Sequence, residues 1–286
     1  MTLQTSGPMS MNDIANEFGT SKPLSMSQLY RGGQYVSSST ITIPTSGLIS
    51  LNSFYGVSKA FTFNRPITAN LSNYNLASIL TANGWDGKLM VDVTITVNSG
   101  VVVYSDHVSI PAMSIGHFPA GSIIRLINRG HIIGMGGTGG SGSNTGINGQ
   151  DGGDAIWLNY STSIENYGII GGGGGGGAGA KIKLSNAYCG GGGGQSGLQS
   201  TIEPLNYAIG ESGTFEGPGN SGINKTWKLP DWAGGRGGTW GSRGMEFVQH
   251  QNSWERFSLP GEGGKAIDGY SYANIIQYGT MLGRVV

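Results

Sequence analysis

The chain has 286 residues and a formal net charge of zero, and only 11% of its residues are charged, against ~25% in an ordinary domain. That excludes binding to nucleic acid through its phosphates, which takes a basic surface. The 37% of hydrophobic residues exclude a chain kept unfolded by its own charge.

Glycine is the outlier, at 54 residues, nearly three times its usual ~7% share. It is unevenly spread, with 11 in residues 1–129 and 43 in 130–286, so a domain boundary is expected near Gly130. Low charge together with Ser, Thr, Asn and Gly suits a neutral surface that meets sugars or other neutral polar matter. Cys189 stands alone, which leaves no disulfide framework and no cysteine metal site. The first residues carry no basic n-region or apolar h-region, so no signal peptide is expected. No window approaches the 18 apolar residues of a membrane-spanning helix.

Residues 1–58 repeat one phrase three times: Ser6-Gly-Pro-Met-Ser-Met-Asn-Asp-Ile14, Ser21-Lys-Pro-Leu-Ser-Met-Ser-Gln-Leu29 and Ser46-Gly-Leu-Ile-Ser-Leu-Asn-Ser-Phe54. The central serines, Ser10, Ser25 and Ser50, are placed to cap short helices over Asn12–Phe18, Met26–Tyr30 and Leu51–Tyr55. Ser10-Met-Asn-Asp13 has the form of a capping box with Asp in place of Glu. Units this short cannot bury a core alone, so they are expected to pack on one another or on a partner.

From Lys59 the pattern changes to strands over 60–63, 89–97, 101–104, 108–110 and 122–127. Asn98-Ser99-Gly100 reads as a hairpin turn, Leu76–Asn83 as a helix closed by Gly84, and Phe118-Pro-Ala-Gly121 as a turn. Residues 59–129 are therefore expected to form an antiparallel β-sandwich, with Trp85 in its core.

A second repeat runs through 130–286. Leu126-Ile-Asn-Arg-Gly-His-Ile-Ile-Gly134 matches Ile164-Glu-Asn-Tyr-Gly-Ile-Ile-Gly171 and Ile275-Ile-Gln-Tyr-Gly-Thr-Met-Leu-Gly283. Upstream, Gly153-Asp-Ala-Ile156 and Gly264-Lys-Ala-Ile267 lie at matching distances. Recurrence of a strand at set spacings marks stacked architecture. The glycine tracts 134–140, 171–179, 190–194, 234–238 and 261–264 follow in register with it. They are therefore expected to be ordered rods, three residues per turn and bonded to one another, rather than a linker in which each glycine only adds entropy to lose.

Between the rods lie 141–151, 181–188, 195–232 and 239–260, which carry Tyr207, Phe215, Trp227, Trp232, Trp240, Phe247, Trp254 and Phe257. Loops on a rigid scaffold are where binding is usually placed, and aromatics among Ser, Gly and Asn also make up paratopes. These eight residues are the candidate receptor-binding set; the alternative is that they cap the ends of a glycine body short of its own core.

Chemistry is hard to find. Gly134-Met-Gly-Gly-Thr-Gly139 lacks the helix and acidic partner of a dinucleotide site, and no nucleophile elbow occurs. His107, His117, His131 and His250 lack metal-ligand spacing, and Asp151 and Asp154 lack a calcium-loop pattern. Glu203, Glu211 and Glu216 have no recognisable frame for glycoside hydrolysis. Neither an enzyme, nor a metal, nor a cofactor is expected.

With these residues in view the chain resembles tailed-bacteriophage tail fibre and tail tip proteins. The phrases at 6–14 and 46–56 look like a recurring attachment module. Tyr74-Asn-Leu, Gly84-Trp-Asp-Gly87, Asn98-Ser-Gly-Val-Val, Phe118-Pro-Ala-Gly-Ser and the Asn-x-Gly-x-Ile-x-Gly strand with its glycine run are similar to the receptor-recognising adhesins at the fibre tips of some T-even-type phages. It departs from them in carrying its own N-terminal module and β domain.

The resemblance implies a sandwich of polyglycine-II-type helices with variable loops at one end, contacting an outer-membrane protein or glycan. The expected fold class is thus mainly β with an irregular glycine-rich region. It comprises an α-containing tail-attachment repeat module (1–58), a β-sandwich (59–129) and a glycine-rich receptor-binding tip (130–286). The expected partners are the host receptor and other phage tail or baseplate proteins through residues 1–58, with a homotrimer open, and the expected location is the virion tail. The alternative role is a structural tail component without receptor contact.

Overall fold

The computed structural model describes residues 3–20, 24–33, 35–36, 40, 42–142, 147–182, 188–196, 210–222, 234–247, 254–256 and 258–286. Packing divides the chain into two units. One comprises 1–64, 77–94 and 117–124, the other 65–76, 95–116 and 125–286.

In the first unit each of the three phrases becomes a helical turn. Helix α1 (Met11–Phe18) starts at Ser10. Its side chain accepts from the Asp13 N–H at 3.3 Å, while the Asp13 carboxylate accepts from the Ser10 N–H at 2.8 Å. Ser25 and Gln28 repeat that box ahead of a single 3-10 turn at Met26–Leu29. Ser50 holds the same extended conformation before Leu51–Phe54 but makes no side-chain cap. Each turn hides its inward residue completely: Ile14, Leu29 and Phe54 lie in one core with Leu3, Phe18, Val36, Ile43 and Val57. The three short units thus pack on one another. Trp85 is buried too, its ring 5.2 Å from that of Phe118 and its indole N–H donating to the Leu89 carbonyl at 2.7 Å.

Strand formation follows the alternation of β-branched residues, but the pairing is not that of a sandwich. Strands β1 (Ala60–Ile67), β2 (Leu71–Ser72) and β3 (Tyr74–Asn75) are followed by helix α2 (Leu76–Ala82). Next come β4 (Met90–Val97), β5 (Val102–Tyr104) and β6 (Met113–Ser114), then β7 (Ile123–Asn128), β8 (His131–Ile133) and β9 (Ile156–Trp157). The remaining strands are β10 (Thr162–Asn166), β11 (Ile169–Gly171), β12 (Ala180–Ile182), β13 (Tyr188–Cys189), β14 (Trp254–Arg256), β15 (Ile267–Asp268), β16 (Ala273–Gln277) and β17 (Thr280–Leu282).

Three sheets each collect every third strand of the early series, in the orders β1-β4-β7-β10-β16, β17-β11-β8-β5-β2 and β15-β9-β6-β3. The pairs β2 with β5, β5 with β8, β8 with β11, β3 with β6 and β6 with β9 are parallel. The antiparallel sandwich expected over 59–129 is therefore replaced by parallel stacking. Because β4 and β5 belong to different sheets, Asn98-Ser99-Gly100 turns a corner rather than a hairpin, with Gly100 at φ +77°. Val108–Ile110 forms a turn, not a strand.

Stacking in register makes columns of like side chains: Val103, Ile132 and Ile170 in one, Leu126 and Ile164 in another, Met113, Ile156 and Ile267 in a third. All are buried, and each contributes roughly 1.5–3 kcal/mol of apolar burial. The expected match of Ile156 with Ile267 holds as paired residues.

The glycine tracts are ordered and bonded to one another. From Gly172 the N–H groups point in three directions by turns. Gly173 and Gly176 donate to Gly153 and Gln150, Gly174 and Gly177 to Gln195 and Gly192, Gly175 and Ala178 to Ser242 and Met245, all at 2.8–3.0 Å. Its carbonyls accept in the same rhythm from Gly134, Gly137 and Gly140, from Gly241, Gly238 and Gly235, and from Gly264 and Gly261. Segment 171–178 is thus surrounded by six others with no bond inside itself.

So close an approach leaves no room for a side chain. A Cβ on Gly173 would sit 1.9 Å from the Met135 oxygen and one on Gly176 1.7 Å from that of Thr138. Stretches expected to be loops, around Gly149–Asp151, Gly210–Gly222 and Gly244, belong to this body. Among the described residues no helix is long and apolar enough to cross a membrane.

Candidate functional site

One end of the glycine body adjoins the strands, since Gly134 follows β8 and Gly172 follows β11 and donates to Leu282 of β17 at 3.0 Å. The opposite end is set by Ser141, Gly142, Gly179, Ala180, Cys189, Gly190, Gly222, Gly234, Met245 and Ser258. A Cβ on Gly142 would touch the Ala180 and Cys189 carbonyls. Gly179 donates to the Ser258 hydroxyl at 2.6 Å, Gly222 donates to Gly190 at 3.0 Å and to this level Gly234 returns, donating to Gly222 at 3.3 Å. Here a small antiparallel sheet, β13-β12-β14, pairs Ala180 with Cys189 and with Arg256.

The eight aromatic candidates divide by this geometry. Tyr207, Trp227, Trp232 and Phe257 lie outside the described residues. Trp254 opens β14, opposite Ile182. Phe247 lies two residues beyond Met245, on the far side of the body.

Phe215 and Trp240 are elsewhere: at the strand end they close on each other at 5.1 Å and on His131 of β8, at 5.4 and 6.3 Å between ring centres. A Cβ on Gly171 would lie 3.3 Å from that of Trp240. Burial holds the His131 ring below the usual imidazole range. Among the described residues neither its Nδ1 nor the Trp240 indole nitrogen has a hydrogen-bond partner. The two rings named from sequence as loop residues thus act as a plug where rods meet strands.

Sequence reasoning missed Ile147, Met245 and Leu259, large apolar residues 46%, 57% and 43% exposed at the far end. Ser141 donates to the Ile147 carbonyl and Gly149 to that of Leu259, so the backbone geometry that fixes the rods also holds these side chains outward. No local signal separates them from core residues; only the rod ends do.

Asp151 and Asp154 act as splints. The Asn148, Asp151 and Asp154 side chains accept in turn from the N–H groups of Leu259, Glu262 and Lys265, at 2.8, 2.7 and 2.8 Å. Beside Asp154 a cleft of about 310 Å³ is lined by Val108, Ser109, Pro111, Trp157 and Asp268. Burial raises the Asp154 carboxyl above its ordinary value, offset in part by the backbone bond and charge of Lys265. The Lys265 ammonium lies 3.1 Å from Asp268. Glu211 is held by Asn220 at 2.7 Å, and Glu203 lies outside the described residues. Among the described residues no three His, Cys, Asp or Glu side chains gather as metal ligands.

Residues 62–286 match the family model of the phage tail fibre adhesin Gp38. The chain belongs to that family. A chain of the crystal structure of the gp37-gp38 adhesin tip complex of the bacteriophage S16 long tail fiber is similar in fold, with a TM-score of 0.59 and 25% sequence identity. The likeness covers 99% of this adhesin and 100% of that chain. No curated protein matches it in sequence. The β region from residue 62 is therefore part of the family fold, not an addition to it as the sequence comparison implied. The N-terminal repeats lie within the structural likeness as well.

Proposed function

We propose that this adhesin attaches the virion to the host cell surface, an outer-membrane protein or glycan, through the far end of its glycine body. The observation that carries the reading is the set of exposed apolar residues, Ile147, Met245 and Leu259, at one end of a body whose backbone cannot yield. In this reading the period-three segments are polyglycine-II-type helices forming a sandwich. Their interlocked backbones keep the far end rigid while the connecting segments differ in sequence. Trp227, Trp232, Phe247, Trp254, Phe257 and Tyr207 supply the contact, with Ile147, Met245 and Leu259 as an apolar rim. Phe215 and Trp240 stay with the scaffold. Residues 1–58 dock the adhesin on a tail protein. The S16 relative, seen in complex with gp37, supports a tail fibre protein in that role, and with it a place in the virion tail.

The full-length adhesin is expected to bind susceptible cells and to compete with phage adsorption, and Trp227→Ala with Trp232→Ala is expected to abolish both. If the wild-type protein neither binds host cells nor competes, the adhesin reading fails and a structural tail component remains.

A further inference from the structure

The cleft beside Asp154 has a composition that the scaffold does not need. Alternation along β9 buries Ile156 and turns Trp157 outward, 45% exposed. Trp157 pairs in register with Asp268 of β15 and with Ser114 of β6, so the indole and the Asp268 carboxylate leave the sheet side by side. An exposed aromatic residue alone is ordinary. This one lines a cleft of about 310 Å³ together with Val108, Ser109, Pro111, Asp154 and Asp268, at the lower end of the ~300–1,000 Å³ that small-molecule sites occupy.

The wall opposite the strands is fixed in place. The buried Ser105 hydroxyl lies 2.6 Å from the carbonyls of both His107 and Ile110 and accepts from the His107 N–H at 3.1 Å. Ser109 donates its N–H to His107 Nδ1 at 3.2 Å, and Pro111 locks its own φ. Val108 backs onto the glycine body, where a Cβ on Gly153 would sit 2.8 Å from its carbonyl oxygen. A ligand entering here has little protein left to order, which lowers the cost of binding.

Charge narrows the choice of ligand. The Lys265 ammonium lies 3.1 Å from Asp268 and 4.0 Å from Asp154, and the Arg284 charge also acts on Asp154. Two carboxylates beside two cations favour neither a free cation nor an anion. A carboxylate still offers about four acceptor positions, more than these contacts use. The cleft thus presents an apolar face, made by Trp157, Val108 and Pro111, next to an edge of strong acceptors. A pyranose ring has the matching form, with a face of C–H groups and a rim of hydroxyl donors.

We propose that this cleft binds one neutral pyranose unit of a cell-surface polysaccharide. Trp157 stacks on the C–H face, and Asp154 and Asp268 accept from the hydroxyls. The site is a second contact, beyond the attachment reading. Gly153, next to Asp154, donates to Met135 where the rods begin, whereas Ile147 and Met245 lie at their far end.

The full-length adhesin is tested by saturation-transfer NMR with the methyl α-glycosides of glucose, galactose and mannose, and with glycerol as a polyol without a ring. At least one glycoside is expected to take up saturation at its C–H protons, and glycerol is not. Trp157→Ala is expected to weaken that binding roughly tenfold or more with the unfolding temperature unchanged, and Trp157→Phe to keep most of it. Trp157→Gln replaces the alanine variant if the latter does not fold. Binding of no glycoside, equal binding of glycerol, or wild-type binding by a folded variant without the ring overturns the inference. Trp227→Ala with Trp232→Ala should leave glycoside binding intact; its loss there would move the sugar to the far end and overturn the inference while the attachment reading stands. Failure to bind host cells with glycoside binding intact overturns the attachment reading alone.

Discussion

The side-chain amide of Asn128 donates to the side-chain oxygen of Asn166 at 2.8 Å, and both residues are fully buried. Asn166 in turn donates to the carbonyls of Tyr278 and Thr280 at 2.8 and 3.1 Å and accepts from the Gly168 N–H at 3.2 Å. Asn128 does the same one layer away, donating to Ile169 and accepting from Gly130. At this corner the backbone leaves one sheet for the next, and the Gly130 and Gly168 N–H groups bond to side chains instead of to a strand. The asparagines fill that gap and tie three successive layers together.

Asn166→Ala removes a donor pair and an acceptor from a buried network while leaving their partners in place. Each orphaned buried group costs about 1–3 kcal/mol, so a loss of roughly 2–4 kcal/mol is expected, read as a drop in thermal unfolding temperature. Asn274→Ala, on an exposed residue of the next layer, is the control and should change little. Equal unfolding temperatures for the two variants would remove the ladder from the account of stability.

Much of this architecture is written locally. Ser10 and Ser25 announce their helical turns because a cap is made within three residues, and Gly84 at φ +97° ends α2 as a glycine should. The glycine rods are legible because no other residue fits where a Cβ would meet a carbonyl at 2 Å. The corner at Asn98-Ser99-Gly100 was not legible. Asn-x-Gly suits a hairpin and a corner alike, and the choice rests on β5 finding β8 and β2 as partners, across 27 or more positions of chain. The same sequence logic fails for Phe215 and Trp240, whose neighbours set their role from His131, far away along the chain.

The packing of the rods predicts a sharp contrast between glycines. Gly173→Ala places a Cβ 1.9 Å from the Met135 oxygen, where only separation of two rods would relieve it. A loss above about 4 kcal/mol, the range of severe overpacking, is expected and should appear as failure to recover protease-resistant protein. Gly217→Ala meets nothing within 4 Å and is expected to stay within about 0.5 kcal/mol of wild type. Similar behaviour of both variants would mean the tracts are not a packed body.

His131 gives the second unit a dependence on pH. Burial disfavours its charged form, so the folded chain takes up the proton less readily than the unfolded chain, whose imidazole titrates near ~6.5. Unfolding therefore gains protons as pH falls through that value, and stability is full above it and declines below. The unfolding temperature of the wild type, relative to His131→Phe, should hold steady from pH 8 to 7 and fall towards pH 5.5. A difference between the two proteins that is flat across this range contradicts the assignment.

The division of the aromatic residues between scaffold and contact makes two substitutions behave oppositely. Trp240 fills the junction of rods and strands, packed on Phe215 and His131, so Trp240→Ala opens a cavity and is expected to cost about 3–5 kcal/mol. Its host-cell binding should survive at temperatures where the protein is still folded, because nothing at the far end has changed. Trp227→Ala with Trp232→Ala, both between Gly222 and Gly234 in the sequence, is expected to leave the unfolding temperature within about 2 °C while binding is lost. Thermal unfolding and cell-binding titrations on the same preparations separate the cases. Loss of binding by folded Trp240→Ala would return that residue to the contact set and move the binding face to the strand end of the body.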